Sequence, residues 1–241
     1  MKSIKQFFRR ILSCLAPWRF WESCRFEFRM CLLRIFHRRM KLTVPIGEAL
    51  VNIGAGKVGR DGWINLDAFD WKNVAFTCDC RTIVPLPDAS ARGIFTEHFL
   101  EHVDYDDELP EFLRECYRVL RPGGTLRIVV PDGERYLRAY CETGWAGISK
   151  LRQIRPDGTD PYLAVPVKTK MELVNVVFRQ FGEHKFAYDF ETLALKLGEF
   201  GFVQIEQAVA GVSRDPIMAI DFSIRIHESL YVEASKPTLV P

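Results

Sequence analysis

The run Leu50-Val51-Asn52-Ile53 breaks into Gly54-Ala55-Gly56, and a second apolar run, Trp63-Ile64-Asn65-Leu66, ends on Asp67, eleven residues past Gly56. Glycines after one apolar run and an acid after the next are the marks of a parallel α/β domain that binds a nucleoside-containing ligand. Only a residue without Cβ lets the backbone turn sharply and approach a ligand closely. An ionised carboxylate, in turn, accepts hydrogen bonds from the vicinal hydroxyls of a ribose.

The spacing narrows the ligand. Gly54 to Gly59 formally fits G-x-G-x-x-G, but the dinucleotide fingerprint also requires a helix directly after the glycines and an acid about 20 residues further on. Asp67 stands only eight residues past Gly59, and Gly59, Gly62 and Trp63 leave little room for a helix. Without a helix N-terminus a pyrophosphate loses its main anchor. The interval therefore argues against NAD or FAD and for a cofactor that carries no phosphate. Residues 57–62 must then cross as a taut loop, where parallel crossovers usually take a dozen residues or more.

The chain beyond supports an alternating architecture. Leu50–Ile53, Trp63–Leu66, Val74–Thr77 and Gly93–Thr96 read as strands. Glu108–Leu120 carries Leu109, Phe112, Leu113, Cys116, Tyr117 and Leu120 at helical period and stops at Arg121-Pro122-Gly123-Gly124. Thr125–Val130 follows as a fifth strand, Phe190–Phe200 as a helix, and Phe202–Val209 and Leu230–Ala234 as closing strands. The expectation is an α/β, Rossmann-like, mostly parallel sheet of seven strands with its last strand antiparallel. Residues 45–241 form this domain, and the stretch at about 133–185, broken by Gly144, Gly147, Pro156, Gly158, Pro161 and Pro166, reads as an irregular lid over the acceptor.

Residues 1–44 read as a separate arm. A formal net charge of +2 for 241 residues hides eleven bases against two acids in residues 1–41 and an acidic balance in the rest. Phe7, Phe8, Ile11, Leu12 and Leu15 recur at helical spacing opposite Lys5, Arg9 and Arg10. Past Pro17, Phe26, Met30, Leu33 and Phe36 alternate with Arg25, Arg29, Arg34, Arg38 and Arg39. Such amphipathic, arginine-rich segments suit an anionic membrane surface; packing on the chain's own domain is the second reading, and nucleic acid the least favoured. An arm that only locates the protein can be removed without touching cofactor affinity. No run approaches the roughly 20 apolar residues of a spanning helix, and arginines interrupt every candidate signal core. The seven cysteines show no metal-knuckle spacing and read as free thiols of a cytoplasmic protein, peripheral at the inner face of a membrane.

Five motifs in order resemble the class I S-adenosylmethionine-dependent methyltransferases, in particular the type 11 group, over roughly residues 49–132. Val51-Asn52-Ile53-Gly54-Ala55-Gly56 looks like the glycine loop under the methionine moiety, and Asn65-Leu66-Asp67 like the ribose-binding acid. Cys78-Asp79-Cys80-Arg81 through Pro85-Leu86-Pro87-Asp88 is similar to the family's third-strand aspartate and its following loop. Glu97-His98-Phe99-Leu100-Glu101-His102-Val103 resembles the segment after the fourth strand, and Arg121-Pro122-Gly123-Gly124-Thr125-Leu126 the turn before the fifth. The resemblance implies S-adenosyl-L-methionine held by Gly54, Ala55, Gly56, Asp67, Asp79, Cys80 and Glu97, with Asp79 near the adenine amine. The missing first helix departs from the usual pattern, as does Ala91-Arg92-Gly93 where many relatives place an acid.

Methyl transfer from a sulfonium asks the protein chiefly for alignment, and for a base only where the acceptor loses a proton. His98 is the preferred general base and His184 the second catalytic candidate. Glu101 and His102 repeat Glu97 and His98 four residues on, as on one helical face; no metal is assigned. His184 and Tyr188 are second-choice acceptor contacts, Trp145 and Tyr162 are candidates to stack on the acceptor or equally core residues, and Asp189 reads as a helix cap. The acceptor implied is a small molecule, a saccharide or a lipid-linked glycan methylated at oxygen or nitrogen. The rivals are a nucleotide-dependent oxidoreductase and a non-catalytic scaffold of the same fold.

Overall fold

The structure is a computed structural model that describes residues 14–37 and 42–238. The amphipathic run expected around Phe7–Leu12, and Arg38 and Arg39, lie outside the described residues.

Seven strands form one sheet in the order β3-β2-β1-β4-β5-β7-β6. They are β1 (Ala49–Ile53), β2 (Ile64–Asp67), β3 (Phe76–Thr77), β4 (Ala91–Glu97), β5 (Leu120–Pro131), β6 (Val203–Gln207) and β7 (Ser229–Ser235). The first five pair in parallel, and β7 runs antiparallel between β5 and β6. That is the sheet the apolar runs predict. β1, β4 and β5 are buried along most of their length, as parallel strands covered on both faces must be. β5 starts earlier than Thr125 because Ala91 pairs with Leu120 and Gly93 with Thr125, so Arg121-Pro122-Gly123-Gly124 bulges out between two paired stretches.

Between β1 and β2 no helix forms, and Asn65 holds the short crossover together. Its Oδ1 accepts from the Arg60 N–H at 2.8 Å and from Asn52 Nδ2 at 2.9 Å, while its Nδ2 donates to the Arg60 carbonyl at 2.9 Å. One buried amide thus replaces the turn-by-turn bonds of a helix.

Among the described residues, six helices surround the sheet: α1 (Trp18–His37), α2 (Leu109–Val119), α3 (Gly133–Cys141), α4 (Ala146–Arg152), α5 (Lys170–Arg179) and α6 (Phe190–Glu199). α2 buries Leu109, Phe112, Leu113, Cys116 and Val119 against the main core, the period the sequence shows. Asp189 caps α6 by accepting from the Thr192 N–H at 2.9 Å.

The stretch 133–185 is more regular than its glycines and prolines suggest. α3, α4 and α5 pack around their own core of Tyr136, Ala139, Ile148, Val167, Leu173, Val174 and Val177. Thr169 and Glu172 form a reciprocal capping box at the start of α5. The prolines fall in the connection between α4 and α5, which is why they break the pattern without breaking the helices. This layer is tied to the sheet by Arg152, whose guanidinium meets Asp160 at 2.6 Å and also Glu228 just before β7.

Candidate active site

The sequence-expected residues converge at the C-terminal ends of the parallel strands. Gly54 (φ +70°) and Gly56 (φ +60°) turn the chain out of β1. Below the turn, Asp67 ends β2; its Oδ2 accepts from the Gly56 N–H and its Oδ1 from the Phe69 N–H, each at 2.8 Å. Gly54 cannot carry a Cβ, which would stand 2.7 Å from Phe99, whereas a Cβ on Gly56 would meet nothing within 4 Å. The loop is thus pinned at its first glycine and open at its third. Bare backbone beside open space, with a carboxylate under it, fits the sugar and amino-acid end of S-adenosylmethionine.

Asp79 and Cys80, past β3, are brought to the same edge through the Cys78 N–H bond to the Asp67 carbonyl at 2.9 Å. Here the structure adds something the sequence does not show. The Asp79 carboxylate is buried and already engaged, by Arg81 Nε at 2.9 Å and by Arg34 Nε of α1 at 2.6 Å. Arg81 also meets Glu27 at 2.9 Å and Glu108 at 2.8 Å. Cys80 Sγ lies 3.5 Å from Cys78 Sγ; that contact and burial push its thiol well above its ordinary value, so it stays protonated.

α1 therefore belongs to the site. Met30 is buried, Phe26 packs on Phe69 with ring centroids 6.2 Å apart, and Arg29 donates to the Ala68 carbonyl at 2.8 Å. The helix lies along the ends of β2 and β3. Arg34 of the arm occupies an oxygen of Asp79, so the arm reaches a residue expected to hold the cofactor. Spacing alone had no means of linking a residue in the arm to one past β3.

At the end of β4, Glu97 accepts from the Phe222 N–H at 3.1 Å and pairs with Arg60 at 3.3 Å. Burial raises its pKa despite those partners. The next residues are not helical. His98 takes φ +51° and only Leu100–His102 form a single 3-10 turn, so Glu97 and His98 do not share a helical face with Glu101 and His102. The left-handed step instead swings the His98 ring back over the turn. Its Nδ1 lies 3.1 Å from Glu101 Oε1 and its Nε2 3.0 Å from Ser229 Oγ. Burial works to raise the Glu101 pKa, but the hydrogen bond from His98 and the charges of His98, His102 and His184 bring it down to about 2.

His184 arrives from the loop between α5 and α6. Its ring meets His102 edge to face at 4.6 Å, and burial lowers its pKa. Tyr188 is buried against Phe186 and Tyr105 and belongs to the core. Tyr162 is stacked by the guanidinium groups of Arg152 and Arg225 at 4.5 and 4.2 Å, and Trp145 stays exposed at the start of α4. Glu101 and Ser229 complete the surroundings of His98. The Glu-His repeat hinted at Glu101, while no local signal places Ser229 beside a residue on β4. A cavity of about 750 Å³ lies apart from these groups, lined by Arg135, Arg138, Lys150, His227 and Tyr231 among others.

Residues 61–128 match the family model of a methyltransferase domain. Compared with curated proteins, the sequence matches none. Solved structures that it resembles include a SAM-dependent methyltransferase from Archaeoglobus fulgidus, with 19% identity, a TM-score of 0.48, and coverage of 90% of this chain and 98% of that one. A SAM-dependent methyltransferase from Thermotoga maritima, described as a possible histamine N-methyltransferase, shares 16% identity at a TM-score of 0.47, covering 96% and 98%. Phosphoethanolamine N-methyltransferase 2 of Haemonchus contortus, solved with S-adenosyl-L-methionine, shares 15% identity at a TM-score of 0.44, and this chain spans 53% of its length and aligns over 88% of its own. The stretch 61–128 thus resembles a methyltransferase domain, and it lies within a seven-stranded sheet of the order β3-β2-β1-β4-β5-β7-β6.

Proposed function

We propose that the methyl group is passed to an oxygen or nitrogen of a small-molecule or glycan acceptor, with His98 taking the proton the acceptor gives up. S-adenosylmethionine supplies a methyl group activated by its sulfonium; the chain's own residues bind, align and exclude water. Gly54, Ala55 and Gly56 would hold the amino-acid end, Asp67 the ribose hydroxyls, and Asp79 with Cys80 the adenine, once Arg34 yields its oxygen. Glu97 holds Phe222 and Arg60 in place at the rim.

The observation that carries the reading is the double anchoring of His98. One ring nitrogen faces a buried carboxylate and the other a serine hydroxyl, at the strand end where the acceptor must meet the methyl group. Glu101 steadies the positive charge the ring acquires, and Ser229 marks the side from which the proton comes. General bases of this kind contribute about 10²–10⁴ in rate. A tritiated-methyl transfer assay with cell-envelope extracts tests it. Wild type labels an acceptor, while His98→Gln loses about that factor and still binds S-adenosylhomocysteine. Labelling by His98→Gln at the wild-type rate would place the base elsewhere, and no labelling by either would favour a scaffold.

The outer face of α1 supports a location. Phe28, Leu32, Ile35 and Phe36, spaced along one side of the helix, are exposed while Phe26, Met30 and Arg34 face the domain. No helix of the described residues is long and apolar enough to cross a membrane. An exposed apolar stripe in a basic segment suits a membrane-surface residence at an anionic leaflet, where each base contributes about 1 kcal/mol. Co-sedimentation with anionic but not zwitterionic liposomes is expected, lost when residues 1–37 are removed; retained sedimentation of the truncated chain would contradict it.

A further inference from the structure

We propose that Glu101, His102 and His184 form a binding site for a divalent transition-metal ion. One ligand atom from each of the three lies within 4.8 Å of the others. They come from two segments fastened together by backbone: the Lys185 and Phe186 N–H groups both donate to the Glu101 carbonyl, at 2.7 and 3.4 Å.

The two rings are prepared as ligands. His102 Nδ1 lies 3.2 Å from the Glu183 carbonyl oxygen and His184 Nδ1 2.5 Å from that of Val177. A carbonyl only accepts, so each Nδ1 carries the hydrogen and the lone pair of each neutral ring falls on Nε2. Metal-bound histidines are held in this way, with the second nitrogen donating to a carbonyl or carboxylate that fixes tautomer and orientation.

The third ligand supplies the independent sign. Glu101 is 2% exposed. Its Oε1 is used by His98, while its Oε2 is buried with no hydrogen-bond partner. Edge-to-face packing accounts for the two rings with or without an ion; it does nothing for an orphaned carboxylate oxygen. Buried polar atoms are paired in native proteins, and a charged oxygen is the costliest to leave alone. A cation against Oε2 completes the set.

Two imidazole nitrogens and one carboxylate select borderline ions such as zinc over magnesium or calcium, which take oxygen ligands. Bonds of about 2.0–2.1 Å in a tetrahedral shell would draw the ligand atoms, now within 4.8 Å of one another, to about 3.3 Å apart. Three protein ligands leave a further position on the ion open. The ion would also join residues 101 and 102 to residue 184, and so stabilise the loop between α5 and α6 against the turn after β4.

The site shares Glu101 with His98, whose ring faces Oε1 while the ion would take Oε2, and ion binding is read without any methyl transfer. The test uses the untagged full chain, stripped with chelator. Cobalt(II) is read by its visible ligand-field absorption, zinc by calorimetry, and both by thermal melting. Binding of one ion per chain, with a raised Tm, is expected; magnesium should produce neither signal. His102→Ala, half-exposed and safe for the fold, and Glu101→Gln should each weaken zinc binding at least tenfold, while His227→Ala, outside the cluster, leaves it unchanged. Circular dichroism of each variant confirms that it is folded. Absence of stoichiometric zinc or cobalt binding by wild type, or unchanged binding by folded His102→Ala, would overturn the proposal.

Discussion

At Gly54 two constraints coincide: a left-handed φ of +70° and a neighbouring ring 2.7 Å from any added Cβ. Gly54→Ala should therefore cost about 1–3 kcal/mol of stability and weaken S-adenosylhomocysteine binding, because Phe99 and the loop must shift together. Thermal melting and calorimetry on one sample read both effects; an unchanged Tm would show that the turn is not under this strain. A second residue-scale prediction concerns Glu228. Burial pushes its pKa up, but Arg152 and Arg225 pull harder, leaving it below the ordinary carboxylate value of 4.5. A depressed folded pKa adds stability above 4.5 that is lost as pH falls through the folded value. Glu228→Gln should thus be less stable than wild type at neutral pH, with the gap narrowing below pH 4.5. Denaturant melts at several pH values check it, and a gap that widens in acid would contradict it.

Helix α1 is the element whose role changes most between sequence and structure. Its periodicity and charge are plain in the residues, and so is its suitability for a surface. What the residues conceal is that Arg34 and Glu27 complete an ion cluster with Asp79, Arg81 and Glu108. Those partners are far apart in the chain, and only the folded sheet edge brings them together. Arg34→Ala removes one of the two guanidinium groups on Asp79 Oδ2, leaving Arg81 Nη2 at 3.1 Å, and S-adenosylhomocysteine affinity should rise several-fold in calorimetry. A fall would mean that α1 completes the cofactor site rather than competing with it. The 133–185 stretch teaches a related lesson. Its prolines and glycines masked α3, α4 and α5, whose small separate core has too few residues per helix to register as a strong period.

Across the whole molecule, the legible part was the sheet. β1, β2, β4, β5 and β7 each centre on a short apolar stretch that the sheet buries, and the glycine and aspartate positions follow from the ends of β1 and β2. The Glu97–His102 segment was legible as a cluster but not as a geometry, since a single left-handed residue at 98 decides where the ring points. Long-range polar ties were not legible at all. Arg127 on β5 is fully buried between Asp221 at 2.6 Å and Glu233 at 2.7 Å, and it also donates to the Val209 and Val212 carbonyls. Arg127→Met strands two buried carboxylates and should cost about 3–5 kcal/mol, read as a drop in Tm; a loss within 1 kcal/mol would show that those acids find other partners.

The central claim is that the Gly54–Asp67 loop binds a sulfonium nucleoside and not a dinucleotide. Isothermal calorimetry of the full chain with S-adenosylhomocysteine and with NADH, on wild type and Asp67→Ala, tests it most directly. One-to-one binding of S-adenosylhomocysteine to wild type, at least tenfold weaker binding to Asp67→Ala, and no heat from NADH are expected. Binding of NADH in its place, or S-adenosylhomocysteine affinity untouched by Asp67→Ala, would contradict it.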